Sequence, residues 1–277
     1  MTKLFAGPWI GEFGWELFCW QGYVRYLAST GKYDEVLVCG YNGKGHLYED
    51  FAAAYIPIEE QFQVYHTDCA VGHGFKYNNI HQHYTQKGDE WLPPNRTPVQ
   101  YRASENPDES WWNSSFDQQK FIQYGTKQTT DIDMLFHIRA TDKTNSSIRN
   151  WDSDNWQQLV DFFIQQGMKI GCIGHKYAAA HLPGTVDLRS INLDDLCNHM
   201  ASSQMVVGPS SGPMHLASLC GASQFVWSEP KNKARYEKHW NPFNAPVYGI
   251  WDTWQPDVED VKDKILKAYT HEHKVVS

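Results

Sequence analysis

The stretch Met205-Val206-Val207-Gly208-Pro209-Ser210-Ser211-Gly212-Pro213-Met214-His215-Leu216-Ala217 constrains the fold more than any other part of the chain. An apolar strand runs into a turn of small residues, and the turn opens directly into a helix. Such a junction aims free backbone N–H groups at one point. Ser and Gly let the backbone approach a ligand closely, and the helix adds the positive end of its dipole, so the natural occupant is an anion, above all a phosphate or pyrophosphate. His215 falls in the first helical turn, where an imidazole can donate to a phosphate oxygen. Read without a ligand, the same residues are an ordinary strand-to-helix turn whose His caps or packs.

The pattern repeats along the chain. Lys3 to Ala6 reads as a short strand ending at Gly7-Pro8, Gly11-Glu12-Phe13-Gly14 as a glycine loop, and Trp15 to Ala28 as a helix with Leu17, Trp20, Val24 and Leu27 on one face. A strand at Glu35 to Gly40 completes a β-α-β unit. Residues 41–127 are less regular, and Leu92-Pro93-Pro94-Asn95-Arg96-Thr97-Pro98 reads as a loop. From Tyr124 to Thr130 the composition turns polar and unpatterned, which places a domain boundary between residues 127 and 128. Strands at 133–139, 168–173, 186–188, 204–207 and 224–227 then alternate with helices at 154–166, 193–202 and 213–219. A closing amphipathic helix, Val258 to Tyr269, is expected to pack across the domain junction. Strands alternating with helices of about ten residues imply a parallel, doubly wound sheet. The 277 residues suit two such domains, 1–127 and 128–277.

Composition narrows the partners. A formal charge of −8 and a pI near 5.9 argue against a broad basic surface for nucleic acid, although a local basic cleft fits within an acidic total. Cys19, Cys39, Cys69, Cys172, Cys197 and Cys220 form no C-x-x-C pair and mostly sit in apolar patterns, as reduced core thiols do, so a cytoplasmic setting is expected. The N-terminus lacks a secretory pattern, and no run approaches the roughly 18 apolar residues of a membrane span. The 12 Trp either fill cores or stack on sugar rings and bases.

Three loops of the second domain end strands with groups suited to a diphosphate: Arg139 and Lys143 in His-Ile-Arg-Ala-Thr-Asp-Lys, His175, and the Ser210–His215 turn. All belong to one sheet edge, and the pairing of a guanidinium fork with a compact ammonium suits a leaving pyrophosphate. Alternatively, Arg139 and Lys143 pair with Asp142 at the surface. No His/Cys ligand cluster at metal spacing lies near these loops, and His81 and His83 alternate as on a strand or loop, so no metal is expected.

The segment from Asp194-Asp195-Leu196 through Ala217 resembles the heptosyltransferase-like group of GT-B glycosyltransferases, matching the layout of its D-[ST]-G-x-x-H-x-A signature. Ser210 stands where that group usually carries Asp. The His-Ile-Arg-Ala-Thr-Asp-Lys run also looks like the H-x-R-x-x-D-K segment of fucosyltransferases, where the Arg contacts the donor diphosphate. Ile10-Gly11-Glu12-Phe13-Gly14 lies where heptosyltransferases have a Gly-Asp loop, which would make Glu12 the counterpart of their catalytic Asp.

The resemblance implies two Rossmann-like doubly wound domains with a cleft between them. The second domain would bind a nucleotide sugar, UDP-linked by default, through Arg139, Lys143, His175, Ser210, Ser211, Gly212, Pro213, Met214 and His215. The first would offer Gly11, Gly14 and Trp15 on the acceptor side and Glu12 as base for an inverting, metal-independent transfer. From the residues alone, Glu12 is a carboxylate in a glycine loop beside Phe13 and Trp15, whose burial is expected to raise its pKa. The same Glu also suits a helix N-terminus for the dipole alone, and Glu16 is a secondary candidate. The acceptor is a glycan or, as in bacteriophage DNA glycosyltransferases, a hydroxymethylated base. Lys231, Lys233, Arg235 and Lys238 beside Trp240 either touch such a backbone or form a solvated helix face. A nucleotide-sugar epimerase and a non-catalytic sugar-binding protein are the rival readings.

Overall fold

The structure, a computed structural model, describes residues 1–60, 83–84, 87–94, 100–101, 112–113, 118–141 and 147–274. The chain divides into two compact units: unit 1 is Met1–Ala103 with Trp111–Ile122, and unit 2 is Gln123–Ser277 with Ser104–Ser110.

In unit 1, β1 (Lys3–Trp9) leads through the glycine loop into α1 (Phe13–Trp15), a π-helical turn (Glu16–Trp20) and α2 (Gln21–Ala28). β2 (Glu35–Gly40), β3 (Ala54–Pro57) and β4 (Glu90–Leu92) complete a parallel sheet of order β3-β2-β1-β4, with Phe5 opposite both Leu37 and Trp91. β5 (Gln100–Tyr101) and β6 (Trp112–Asn113) form a separate antiparallel pair. The sequence places the end of β1 at Gly7-Pro8, yet the strand runs on to Trp9 with a register shift between Ala6 and Trp9. Gly7 makes this passage feasible: at φ 126° it lies so close to β2 that a Cβ would stand 2.4 Å from the Cys39 carbonyl oxygen. The expected single helix from Trp15 is instead three segments, because the π turn inserts an extra residue between α1 and α2. β3 and β4 are too short and too weakly patterned to read from sequence.

In unit 2, β7 (Met134–Phe136), α3 (Ser153–Gln165), β8 (Ile170–Cys172), β9 (Val186–Asp187) and α4 (Leu193–Ser202) come first. They are followed by β10 (Met205–Pro209), α5 (Gly212–Leu219), β11 (Gln224–Trp227), a second π turn (Arg235–His239), β12 (Val247–Ile250) and α6 (Val258–Lys274). The six strands are all parallel, in the order β12-β11-β10-β7-β8-β9. Polar caps start the helices where the sequence implies: Asp152 accepts from the Asp154 N–H and Asn192 from the Asp195 N–H, each at 2.8 Å. Met134, Phe136, Met205, Val207, Phe225 and Trp227 pack with Trp156 and Phe163 of α3 and with Val261, Ile265 and Ala268 of α6. The buried face of α6 is therefore taken up by the core of its own unit, where the sequence suggested a domain junction.

The strand order fixes the site. From β7 the chain builds β8 and β9 to one side and then crosses to build β10, β11 and β12 on the other. The order reverses between β7 and β10, and the carboxyl ends of those two strands form the crevice where ligands of open parallel sheets bind.

Candidate functional site

At the switch point of unit 2, the His137 N–H donates to the Val207 carbonyl at 2.8 Å. Gly208 and Gly174 make room for the His137 ring. A Cβ on Gly208 would meet His137 Cβ at 3.1 Å, and one on Gly174, at φ 117°, would stand 2.8 Å from His137 Nδ1. Burial lowers the His137 pKa to about 4, so the ring is neutral near pH 7, and its Nδ1 lies 3.3 Å from the Ile173 carbonyl.

Beyond Gly208 the chain makes the Ser/Gly turn and enters α5. The Ser210 N–H donates to the Trp227 carbonyl at 3.0 Å, and the Ser211 N–H donates to the Tyr236 hydroxyl at 3.1 Å. That hydroxyl in turn donates to Ser210 Oγ at 3.1 Å. The turn is thus clamped by a phenol from the second π turn, which takes up one N–H that the sequence assigns to an anion. Ser211 Oγ has no hydrogen-bond partner among the described residues. Gly212, Pro213 and Met214 form the first turn of α5, where helix N–H groups have no partner within the helix.

His215 occupies the expected turn but not the expected surface. Its ring is buried, stacked on Tyr236 at 4.4 Å and met edge-on by Trp240 at 4.5 Å. Burial, reinforced by the charges of Arg235 and Arg149, holds its pKa well below the usual imidazole range. Burial likewise pushes Tyr236 up to about 12, against the pull of its serine hydrogen bonds and of the same two arginines.

Arg149, at the end of the 3-10 turn Ser147–Arg149, and Arg235, at the start of the second π turn, therefore bring positive charge to the first turn of α5. Each guanidinium lies over a tryptophan ring, Arg149 at 5.2 Å from Trp254 and Arg235 at 4.9 Å from Trp240. Trp254 is itself held by Glu229, to which its Nε1–H donates at 2.7 Å. Of the basic cluster seen in the sequence, Lys231 pairs with Glu229 and Lys233 with Glu237, while Lys238 is exposed; of the four, Arg235 is the one whose charge acts on His215 of α5. Arg139 is half-buried and donates to Asn150 Oδ1 at 2.5 Å, and Asn150 donates back to the Thr141 carbonyl. His175 is exposed beside the Tyr177 ring at 5.0 Å. Lys143 and Asp142 lie outside the described residues, as do His81 and Cys69.

Unit 1 concentrates the opposite charge. Glu12 takes the N-cap position of α1 in extended backbone and makes no side-chain cap bond. The burial expected for it is absent, because it is exposed and the half-buried Gly11, Phe13, Gly14 and Trp15 flank it. The buried carboxyl is one turn deeper. Glu16, whose N–H donates to the Glu12 carbonyl at 3.0 Å, is 1% exposed. The Tyr48 hydroxyl donates to Glu16 Oε1 at 2.8 Å, whereas Oε2 has no partner among the described residues. Burial raises the Glu16 pKa to about 7, opposed by the Lys44 charge and the Tyr48 bond. Lys44 Nζ packs on the Phe13 ring at 3.5 Å.

Tyr48 stacks on Tyr55 at 5.4 Å, Tyr55 donates to the Tyr41 carbonyl, and Tyr41 donates to the carbonyl of Ile10, which fixes the glycine loop. Asp50 is paired with Arg25 through two bonds of 2.8 and 3.0 Å. Among the described residues, no group of three His, Cys, Asp or Glu is placed to hold a metal, and no helix is long and apolar enough to cross a membrane.

Sequence reasoning missed Arg149, which stands alone in a Ser/Asn-rich loop, and it missed Tyr48 and Tyr236, phenols with no local signature. The only available signals were the proximity of Tyr236 to Arg235 and the position of Glu16 four residues after Glu12.

No family model matches the chain, and no curated protein matches it. Solved structures do. The glycosyl transferase family 9 protein of Veillonella parvula DSM 2008 superposes with a TM-score of 0.61 at 10% identity, over 98% of this chain and 97% of that one. The ADP-heptose LPS heptosyltransferase II of E. coli gives 0.60 at 11% identity, over 99% and 100%. E. coli heptosyltransferase WaaC with ADP gives 0.58 at 12%, over 96% and 99%. Across nearly its whole length, then, the chain has the α/β, parallel-sheet GT-B fold of these glycosyltransferases.

Proposed function

We propose that the protein is a glycosyltransferase that binds a nucleoside-diphosphate sugar in unit 2 and an acceptor hydroxyl in unit 1. The observation that carries this reading is the convergence of Arg149, Arg235 and the α5 N-terminus at the switch point of unit 2, in a fold shared with heptosyltransferases. Two guanidiniums and a helix start suit a diphosphate whose charge grows as it leaves. Arg139, in the segment after β7, extends the same cationic edge, consistent with the fucosyltransferase-like run. Cationic side chains supply the charge stabilisation, so the reading is metal-independent, and a soluble nucleotide sugar as co-substrate places the reaction in the cytoplasm.

Glu12, exposed in the glycine loop, takes the proton of the acceptor hydroxyl. The acceptor oxygen then attacks the anomeric carbon as its bond to the diphosphate oxygen breaks through an oxocarbenium-like transition state, inverting that carbon. The neighbours with ADP or ADP-heptose in their names make an ADP-sugar the first donor to try, ahead of the UDP-sugar expected from sequence. A glycan acceptor fits better than DNA, because Lys231 and Lys233 are already paired with acids and the net charge is −8.

Calorimetry with ADP and UDP, followed by mass spectrometry of products from a panel of nucleotide sugars and saccharides, tests the reading. Nucleotide binding together with a glycosylated product is expected. Released nucleotide without an acceptor product would favour an epimerase, and binding without turnover a sensor.

A further inference from the structure

We infer that the exposed turn His175–Tyr177 of unit 2 is a stacking seat for the base of the nucleotide, one that ranks bases by ring area and does not tell adenine from guanine. This rests on the nucleotide-sugar reading above and deepens its donor side.

The turn follows β8 and is fixed from several sides. Gly174, at φ 117°, leads the chain out of the strand. The Ala178 N–H donates to the His175 carbonyl at 2.8 Å and closes the turn. The Lys176 N–H donates to Ser190 Oγ at 3.0 Å, and the Ser190 N–H donates to the Gly174 carbonyl at 2.8 Å. Ser190 makes both bonds at φ 61°, a left-handed conformation unfavourable for a residue with a side chain. The segment after β7 braces the far limb: the Ala140 N–H donates to the Ala178 carbonyl at 2.9 Å and the Ala180 N–H to the Ile138 carbonyl at 2.8 Å. Arg189 donates to the Ala179 carbonyl at 2.8 Å.

This bracing holds side chains that stand in solvent. His175 and Lys176 are exposed, and Tyr177 is 70% exposed. An aromatic ring displayed on so firmly tied a turn is a surface for a ligand to lie on. The His175 and Tyr177 ring centroids are 5.0 Å apart with the planes at 33°. A base sandwiched between two rings needs about 7 Å, twice the roughly 3.5 Å of a close carbon contact, so a base here stacks on the outer side of the pair.

Position names the occupant. A Cβ on Gly174 would stand 2.8 Å from His137 Nδ1, and one on Gly208 would stand 3.1 Å from His137 Cβ and 3.2 Å from Sδ of Met214, in the first turn of α5. The strands run in the order β10-β7-β8, so the turn lies two strand spacings, roughly 10 Å, from the start of α5 along one sheet edge. A nucleotide with its diphosphate at α5 crosses that interval with its ribose and brings its base to the turn.

The chemistry of the turn decides what it reads. Its three residues are all exposed, so a polar group on a base edge meets water there as readily as protein. Stacking tolerates any base, because every base has a π face, whereas strong discrimination arises where the wrong ligand leaves buried polar groups unpaired. A bicyclic purine covers more of the ring pair than a pyrimidine does.

Calorimetry on the full-length protein with ADP, GDP, UDP and inorganic pyrophosphate tests this for wild type, Tyr177→Ala and Tyr177→Trp. In wild type, ADP and GDP are expected to bind within threefold of each other and each at least fivefold more tightly than UDP. Tyr177→Ala should bind ADP at least tenfold more weakly with pyrophosphate affinity within twofold, and Tyr177→Trp should hold ADP at least as tightly as a third of the wild-type affinity. A wild-type preference above tenfold between ADP and GDP would reveal a site that reads base edges and overturn the inference. So would a Tyr177→Ala variant that binds ADP as wild type does, or that loses pyrophosphate as strongly as ADP. Wild type that binds pyrophosphate as tightly as any nucleotide would overturn the seat and leave the diphosphate site standing, whereas wild type that binds neither would overturn the donor reading itself and the seat with it.

Discussion

The carboxyl edges of the two units use one device for opposite ends. Each carries a π turn, and each buries a tyrosine hydroxyl against the group that matters. In unit 1 the phenol of Tyr48 comes to the π turn and holds one oxygen of Glu16. In unit 2 the phenol of Tyr236 comes from the π turn and holds Ser210 and Ser211 at the start of α5. The difference lies in the charge each collects. Unit 1 gathers carboxylates, one exposed and one buried, around a glycine loop. Unit 2 gathers guanidiniums around a helix N-terminus and keeps His137 and His215 neutral by burial. An edge with carboxylates is equipped to move protons, and an edge with arginines and helix N–H groups to hold a polyanion.

The sharpest way to break this division is Glu12→Gln. As a base, Glu12 contributes on the order of 10²–10⁴ in rate, so transfer should nearly vanish while ADP affinity stays within twofold. A transfer assay paired with calorimetry checks both halves, and an active variant would move the proton acceptor elsewhere. Asp50, engaged by Arg25, is poorly placed to replace it.

Next in size is Glu16→Gln, read as stability. The folded-state pKa is about 7 against an ordinary value of 4.5, so the folded protein holds the proton more tightly than the unfolded chain. The stabilisation from that proton is fully present below about pH 4.5 and is lost as pH rises toward 7. Gln cannot ionise. Wild type and variant should therefore match near pH 4, and the variant should be more stable at pH 8 by about 3 kcal/mol. Thermal melts across that range decide it, and parallel curves would show that Glu16 ionises freely in the fold.

For unit 2, Arg149→Gln and Arg235→Gln should each weaken ADP binding about ten- to a hundredfold, the worth of one charge-assisted phosphate contact at roughly 1.5–3 kcal/mol, with thermal stability little changed for Arg149. Affinities equal to wild type in both would detach the diphosphate from α5. The smallest effect is expected for Tyr236→Phe, which removes the clamp and should lower stability by about 1 kcal/mol while leaving ADP affinity within threefold. A marked gain in affinity would mean that the phenol competes with the anion for the Ser211 N–H.

How much of this was legible depended on range. Unit 2 read well because its strands and helices are local, periodic and properly capped; Leu193–Ser202 and Gln224–Trp227 fall where the sequence puts them. The glycine loop and the Ser/Gly turn were found by the backbone freedom they need. What escaped was set by packing between distant residues. The burial expected for Glu12 falls instead on Glu16, the first residue of a π turn, and no local pattern announces such a turn. Tyr236 reaches the Ser210 turn from 26 residues away, and Arg149 acts on His215 across separate loops. Such residues look ordinary in sequence, and only the strand order brings them together.

That strand order also bears on how the chain is made. β7, the middle of the six-stranded sheet, pairs early with β8, but its other edge waits for β10, which is synthesised only after α3, β8, β9 and α4. Until then the nascent chain presents Met134, Leu135 and Phe136 on an unpaired edge that any other strand can join. A fragment ending after α4 should therefore self-associate, and the arrival of Met205–Pro209 marks the point in synthesis at which unit 2 becomes safe from its own kind.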